Sequence, residues 1–256
     1  MRTCMFCHEL ADTGEDAWPQ WLIKRFPSSD VARTYLERVE RAVNSWHTRK
    51  PKLVVKRVCS GCNNGWMSRL ENEAKPVLES ILDGRLQSLD PSAQLTLAKW
   101  AVKTAMVLEA IDSSRPWFYS ENERWLMREA QKIPVRTSAW IAKCIHHPHI
   151  YSVKKYLSTV RGDDGPRAIA TTMAFGFLAF QVVSIRTPPE TPTHDPVSYA
   201  VSNGPWEQTL VQIWPISDRL LTWPPYYGLD GDLGLDTLTE RLSAAKWQPT
   251  DVASAE

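Results

Sequence analysis

A chain of 256 residues with 43% hydrophobic content and 12 tryptophans carries enough apolar material for one large domain, or for a small domain docked on a larger one. Its net charge of +1 excludes a uniformly polybasic or polyacidic protein, so an electrostatic partner has to be sought in local runs. Two such runs exist: Lys24 to Arg57 holds ten basic residues against three acidic ones, and Thr187 to the C-terminus holds three basic against ten acidic.

In chain order, the first element is Cys4-Met5-Phe6-Cys7, answered by Cys59-Ser60-Gly61-Cys62 after 51 intervening residues. Two residues between cysteines let one tight turn aim both sulfurs at a single ion, so Cys4, Cys7, Cys59 and Cys62 form a candidate structural zinc site. Two disulfides, a redox pair or an iron centre are the alternatives that this spacing leaves open. No apolar leader precedes Cys4, which makes the cytoplasm the expected compartment, and reduced thiols there favour metal over disulfides.

Asp12 to Leu22 contains a Thr-Gly turn signal and the acidic dipeptide Glu15-Asp16, with Pro19 holding Trp18 extended. Two adjacent acids at a turn or short strand are either a solvated pair or a site for a hard cation. From Ser28 or Ser29 onward, Val31, Tyr35, Val39, Val43 and Trp46 recur at helical spacing, which predicts an amphipathic helix filling most of the gap between the cysteine pairs. Arg49, Lys50, Lys52, Lys56 and Arg57 follow as a candidate nucleic-acid-binding run, although such a run also suits a solvated face. Lys52 to Val58 alternates and is rich in valine, so it reads as a strand that delivers Cys59 to its turn.

Behind Cys62, Asn63-Asn64-Gly65-Trp66-Met67-Ser68-Arg69-Leu70-Glu71 leads into a helix marked by Leu70, Ala74, Val77, Leu78 and Ile81. Pro76 is expected to kink it and Gly84 to stop it. Asp90-Pro91 caps a second helix to Ile111 that is apolar almost all round and therefore buried; Ser120 and Glu123 make a capping box for a third. Strands are predicted at Thr137–Ile145, at Ala168–Ile185 with a break near Gly176, and at Gln208–Trp214. The run from Ala168 to Ile185 is uncharged over 18 residues, close to a membrane span in length, yet its Thr, Gln and Ser content and its Phe, Val and Ile content suit a buried strand. Cys144 reads as a core residue, and His146, His147 and His149 as a loop at a strand end. Leucines from Leu233 to Leu242 mark a last helix.

A knuckle, an acidic dipeptide with a proline three residues later, and Cys-x-x-Cys-Asn opening a helix resemble the HNH endonucleases, whose ββα-metal fold sits on a zinc-stapled treble clef. The Cys-Asn-Asn-Gly-Trp-Met-Ser-x-Leu-Glu run and the Trp-Ala-Val-Lys-Thr helix are similar to a bacterial and phage subfamily of that group. The resemblance implies that Glu15 and Asn63 hold a catalytic divalent ion, Mg²⁺ or Mn²⁺, and that Asp16 stands in the catalytic position where the family places its general-base histidine. It also implies DNA as substrate and partner, with a homodimer open and no membrane partner. An aspartate is a weaker base than histidine by roughly 2–3 pKa units, so the alternative is a treble clef that has lost catalysis and binds nucleic acid or a protein.

The expected fold is α+β: a zinc-stapled module with a basic helical excursion over residues 1–85, an accessory α+β domain over 86–250, and a disordered tail at 251–256.

Overall fold

The structure is a computed structural model that describes residues 2–26, 32–37, 43–48, 53–111, 117–146, 150–157, 168–186 and 206–241. It is a mixed α+β protein. The chain opens with a turn closed by a Thr3–Leu10 bridge, then β1 (Thr13–Asp16), α1 (Gln20–Arg25), β2 (Ala32–Glu37), β3 (Val43–Thr48) and β4 (Val54–Val58). A short helical turn α2 (Ser60–Cys62) passes through a wide turn at Asn63–Met67 into α3 (Ser68–Leu82). The non-helical dihedrals in this run fall at Gly65 (φ −93°, ψ −109°), while α3 continues through Pro76. It ends in a Schellman motif, with Gly84 N–H bonded to Ile81 O at 2.9 Å, Arg85 N–H to Ser80 O at 3.2 Å, and Gly84 at φ +70°.

The remaining elements are β5 (Gln87–Leu89), α4 (Pro91–Glu109), α5 (Glu121–Ala130), β6 (Thr137–Ile145), β7 (Ile150–Leu157), β8 (Ala168–Phe175), β9 (Leu178–Ile185), β10 (Leu210–Trp214), β11 (Leu221–Trp223), β12 (Leu229–Asp230) and α6 (Gly231–Glu240). The expected caps are in place. Asp90 accepts from Ala93 N–H at 2.7 Å, and the Ser120–Glu123 box is complete.

Seven strands of the main sheet run in the order β10–β6–β9–β8–β7–β2–β3, with β12 pairing parallel to β6. Both faces are covered. Ala139, Ile141, Phe175, Phe180 and Val182 pack with α3 and α4 on one side, whereas Trp140, Ala142, Tyr151, Ala170 and Val183 pack with Leu235 and Leu238 of α6 on the other. Every residue of β8 is consequently buried, which accounts for the uncharged run: it is a hairpin inside a covered sheet. Gly176 turns that hairpin at φ +54°, where a Cβ would come within 2.8 Å of the Phe26 ring. No described helix is long and apolar enough to cross a membrane.

The helix expected over residues 28–46 is a correction. Residues 32–37 and 43–48 are strands, antiparallel to each other in register from Ala32–Thr48 to Glu37–Val43, and β2 runs parallel to β7. β7 presents a sheet edge on which β2 pairs in parallel, and this pairing with a distant strand outweighs the local helical periodicity. The core on the α3 and α4 side of the sheet takes side chains from both sides of residue 85, including Phe6, Trp66, Leu97 and Trp100. The expected tail at 251–256 and residue Leu242 lie outside the described residues.

Candidate metal centre and acidic pair

The first cysteine turn folds on itself through Cys4 N–H to Glu9 O (2.7 Å) and His8 N–H to Cys4 O (3.2 Å), with His8 in the left-handed region at φ 65°. Cys4 Sγ accepts the Phe6 N–H at 3.5 Å. The second turn is a helix N-terminus: Cys59 is the N-cap, its Sγ accepts Cys62 N–H at 3.4 Å, and Asn63 N–H bonds Cys59 O at 3.0 Å. β4 joins the two turns, because Met5 N–H donates to Arg57 O at 2.8 Å. Arg124 of α5 closes the other side by donating from Nε to Met5 O at 2.8 Å.

The four Sγ atoms lie within 4.8 Å of one another, with Cys7–Cys59 at 3.4 Å and Cys62–Cys7 at 3.6 Å. All are free thiols, so the two-disulfide alternative is not what the chain forms. Tetrahedral zinc with bonds of about 2.3 Å requires sulfurs about 3.8 Å apart, and these distances nearly meet that. Cys4, Cys59 and Cys62 are buried and Cys7 is partly so. The Cys62 hydrogen bond holds the Cys4 thiol down at about 4, while burial pushes Cys7 up to about 11, and the bond to Cys4 pushes Cys62 up as well. Four thiols packed this closely do not all ionise without a cation among them. Backbone N–H···S bonds, burial and an all-sulfur donor set fit a metal ion such as zinc.

β1 and β4 form an antiparallel pair that places Glu15 opposite Val55 and Asp16 opposite Val54. Glu15 is 7% exposed, and burial pushes its carboxyl up; Lys103 of α4 opposes that shift, while Glu71 of α3 and Asp16 add to it. Asp16 accepts a hydrogen bond from Gln20 through Oδ2, and its Oδ1 is buried with no partner. The segment is anchored by Trp18, which packs on Phe175 at 5.7 Å, the same ring that meets Trp100 of α4 at 5.9 Å. Among the described residues, only the cysteines gather three or more His, Cys, Asp or Glu ligand atoms, so Glu15 and Asp16 have no third such group beside them.

Asn63 is half-buried at the entry to the wide turn behind Cys62. Of the basic run, Lys56 is exposed on β4, and Arg57 lies over the Trp117 ring at 5.2 Å, which Arg124 approaches at 4.2 Å. Arg49, Lys50 and Lys52 lie outside the described residues. His8 pairs with Glu121 at 2.8 Å and His146 with Asp230 at 3.1 Å. Sequence reasoning missed Lys103, Glu71, Gln20 and Asp12. A lysine inside a helix that is apolar all round was the available signal for Lys103. No family model, no curated protein and no solved structure matches the chain.

Proposed function

We propose that the chain is a divalent-metal-dependent phosphodiester hydrolase of the HNH type acting on DNA, built on a treble-clef zinc module. The observation that carries this reading is the order cysteine turn, β1, β4, cysteine turn and helix, with Glu15-Asp16 on β1 and an orphaned buried Asp16 oxygen beside a buried carboxyl. An unpaired buried carboxylate oxygen is costly in the absence of a donor, and two adjacent carboxyls fit a hard divalent ion held from the Glu15 side. Glu15 and Asn63 are the residues assigned to hold that ion, with water completing the shell as Mg²⁺ prefers. When bound, the ion supplies Lewis acidity to the phosphate and lowers the pKa of its water.

In the reaction, a water oxygen forms a new bond to phosphorus and the ester bond to one sugar oxygen breaks with its electron pair. One water proton is lost to Asp16, which returns it through solvent water to the leaving oxygen, giving a phosphomonoester and an alcohol. Asp16 is assigned that proton because it stands at the position of the family's general base, and Gln20 hydrogen-bonds to its Oδ2. Exposed Lys56 extends β4 as a phosphate contact. The test is nicking of supercoiled plasmid by zinc-loaded protein with Mg²⁺ or Mn²⁺, with Glu15→Ala as the inactive control.

A second reading, a zinc module that binds nucleic acid without cutting it, is favoured by the pairing of His8 with Glu121 and of His146 with Asp230 rather than with the acidic pair. It predicts DNA binding with no nicking under any of these ions.

A further inference from the structure

β10 ends the main sheet: it pairs with β6 on one side, and among the described residues no strand pairs with the other. An open strand edge presents a row of unpaired N–H and C=O groups, and proteins ordinarily guard it with charged side chains, lysine above all. This edge carries no such guard, for the chain holds no charged residue from Gln208 to Ser217. Beside it lies a cavity of about 430 Å³, lined by Leu210, Val211 and Gln212 of β10, by Ser217 beyond the strand, and by Leu221 and Thr222 of β11. Successive strand side chains point to opposite faces, so a cavity over one face of β10 would touch every second residue. Three consecutive residues line this one, which therefore follows the edge where the backbone groups lie.

The segment beyond β10 is fixed. Gln94 of α4, fully buried, donates to Leu89 O at 3.0 Å and to Arg219 O at 2.8 Å and accepts the Ser217 N–H at 3.0 Å, while Leu221 pairs with Leu89. On that held segment Ile216 and Leu220 are 39% and 65% exposed, apolar side chains beside a groove whose lining is itself uncharged. Another extended backbone is what completes such an edge. A second copy of this chain supplies one of matching chemistry. Laid antiparallel on itself about a two-fold axis at Gln212, β10 sets Val211 against Ile213 and Leu210 against Trp214, apolar pairs with no like charges opposed. We propose that β10 is a self-association edge through which two copies join their sheets in a two-fold dimer. This dimer stands independently of the hydrolase reading.

The experiment measures the mass of the zinc-loaded protein by light scattering from about 1 μM to about 100 μM, a range that spans ordinary specific association. Hydrogen exchange of the Leu210–Trp214 amides is followed at both ends of that range. Gln212→Lys and Thr222→Lys are run beside wild type, each with a melting curve at the dilute end. The expected result is a mass rising to that of two chains, with slower exchange of these amides at the concentrated end. Gln212→Lys is expected to weaken association roughly tenfold or more, since two lysines then oppose each other across the axis, while its dilute melting midpoint stays close to wild type. Wild type that stays monomeric up to about 100 μM overturns the proposal. So does a dimer in which both lysine variants associate like wild type, which puts the interface elsewhere. Amides that exchange equally at both concentrations also overturn it, as they would if another segment of the same chain covered the edge. If Gln212→Lys fails to fold, Thr222→Lys is judged by the same criteria, and if both fail, the concentration dependence of mass and exchange in wild type decides alone.

Discussion

Asp12 accepts two hydrogen bonds from Ser60, one from the backbone N–H at 2.7 Å and one from the hydroxyl at 2.9 Å. A residue at the approach to β1 thereby caps the helix that carries Cys62, tying the strand of the acidic pair to the second cysteine turn. The Ser60 bonds hold the Asp12 carboxyl below its usual range. A carboxyl depressed in the folded state contributes stability above its unfolded pKa and loses it as pH falls through the folded value. Asp12→Asn is therefore expected to lower the melting midpoint at neutral pH and to bring it closer to wild type in strong acid. An equal deficit at every pH would show that the charge contributes nothing.

Zinc content is the second prediction. Purified protein is expected to carry about one zinc per chain, and Cys59→Ala to lose it. Structural zinc contributes roughly 10–16 kcal/mol to the folding of small peptides, so chelation removes a large term from the N-terminal region. Hydrogen exchange should show residues 2–26 and 53–82 losing protection first, with β6, β8 and β9 holding longer. Full thiol reactivity of Cys4, Cys7, Cys59 and Cys62 in folded protein free of zinc would refute the assignment.

Phe175 is the ring on which Trp18, Trp100 and Phe180 meet, at 5.7, 5.9 and 5.9 Å. Phe175→Ala removes a fully buried aromatic and is expected to cost roughly 3–5 kcal/mol in urea unfolding. Because the same ring anchors the Glu15–Trp18 segment, Phe175→Leu should reduce any metal-dependent cleavage more than it reduces stability. A loss proportional to stability alone would detach this core from the site.

Much of this was legible in advance because the signals were local. The Cys-x-x-Cys turns, the Asp90 and Ser120 caps and the Gly176 hairpin each depend on residues within a few positions of one another. Residues 32–37 and 43–48 are strands although Tyr35, Val43 and Trp46 belong to a run that satisfies a helical period. What decides its state is β7, more than a hundred residues away, which supplies the neighbouring ladder. β7 is rich in β-branched and aromatic residues (Ile150, Tyr151, Val153, Tyr156), so its strand character is present in the sequence. The packing of Trp18 and Trp100 on one ring is hidden for a similar reason, since Phe175 of β8 meets both from distant parts of the chain.

Lys56 is the exposed basic residue on β4, whereas Arg57 is occupied by Trp117. If DNA runs along this strand, Lys56→Glu should weaken binding at low salt and reduce the slope of log K against log salt by about 1 to 2. Arg57→Ala should act mainly on stability. Unchanged salt dependence in Lys56→Glu would place the nucleic acid elsewhere.

Asp16→His supplies a base whose pKa lies near neutral pH in place of a weaker one. If Asp16 is a poor general base, this change is expected to raise cleavage, within the 10²–10⁴ range of positioned acid–base groups. If it abolishes a strong wild-type activity, Asp16 is an adapted group and the weak-base argument is wrong.

The proposed hydrolase function is tested most directly by nicking of supercoiled plasmid by zinc-loaded wild type with Mg²⁺, Mn²⁺ or Ni²⁺, alongside Glu15→Ala. Metal-dependent nicking that disappears in Glu15→Ala, with zinc content and melting unchanged, is the predicted result. No cleavage of DNA by wild type with any of the three ions, or equal cleavage by Glu15→Ala, would contradict it.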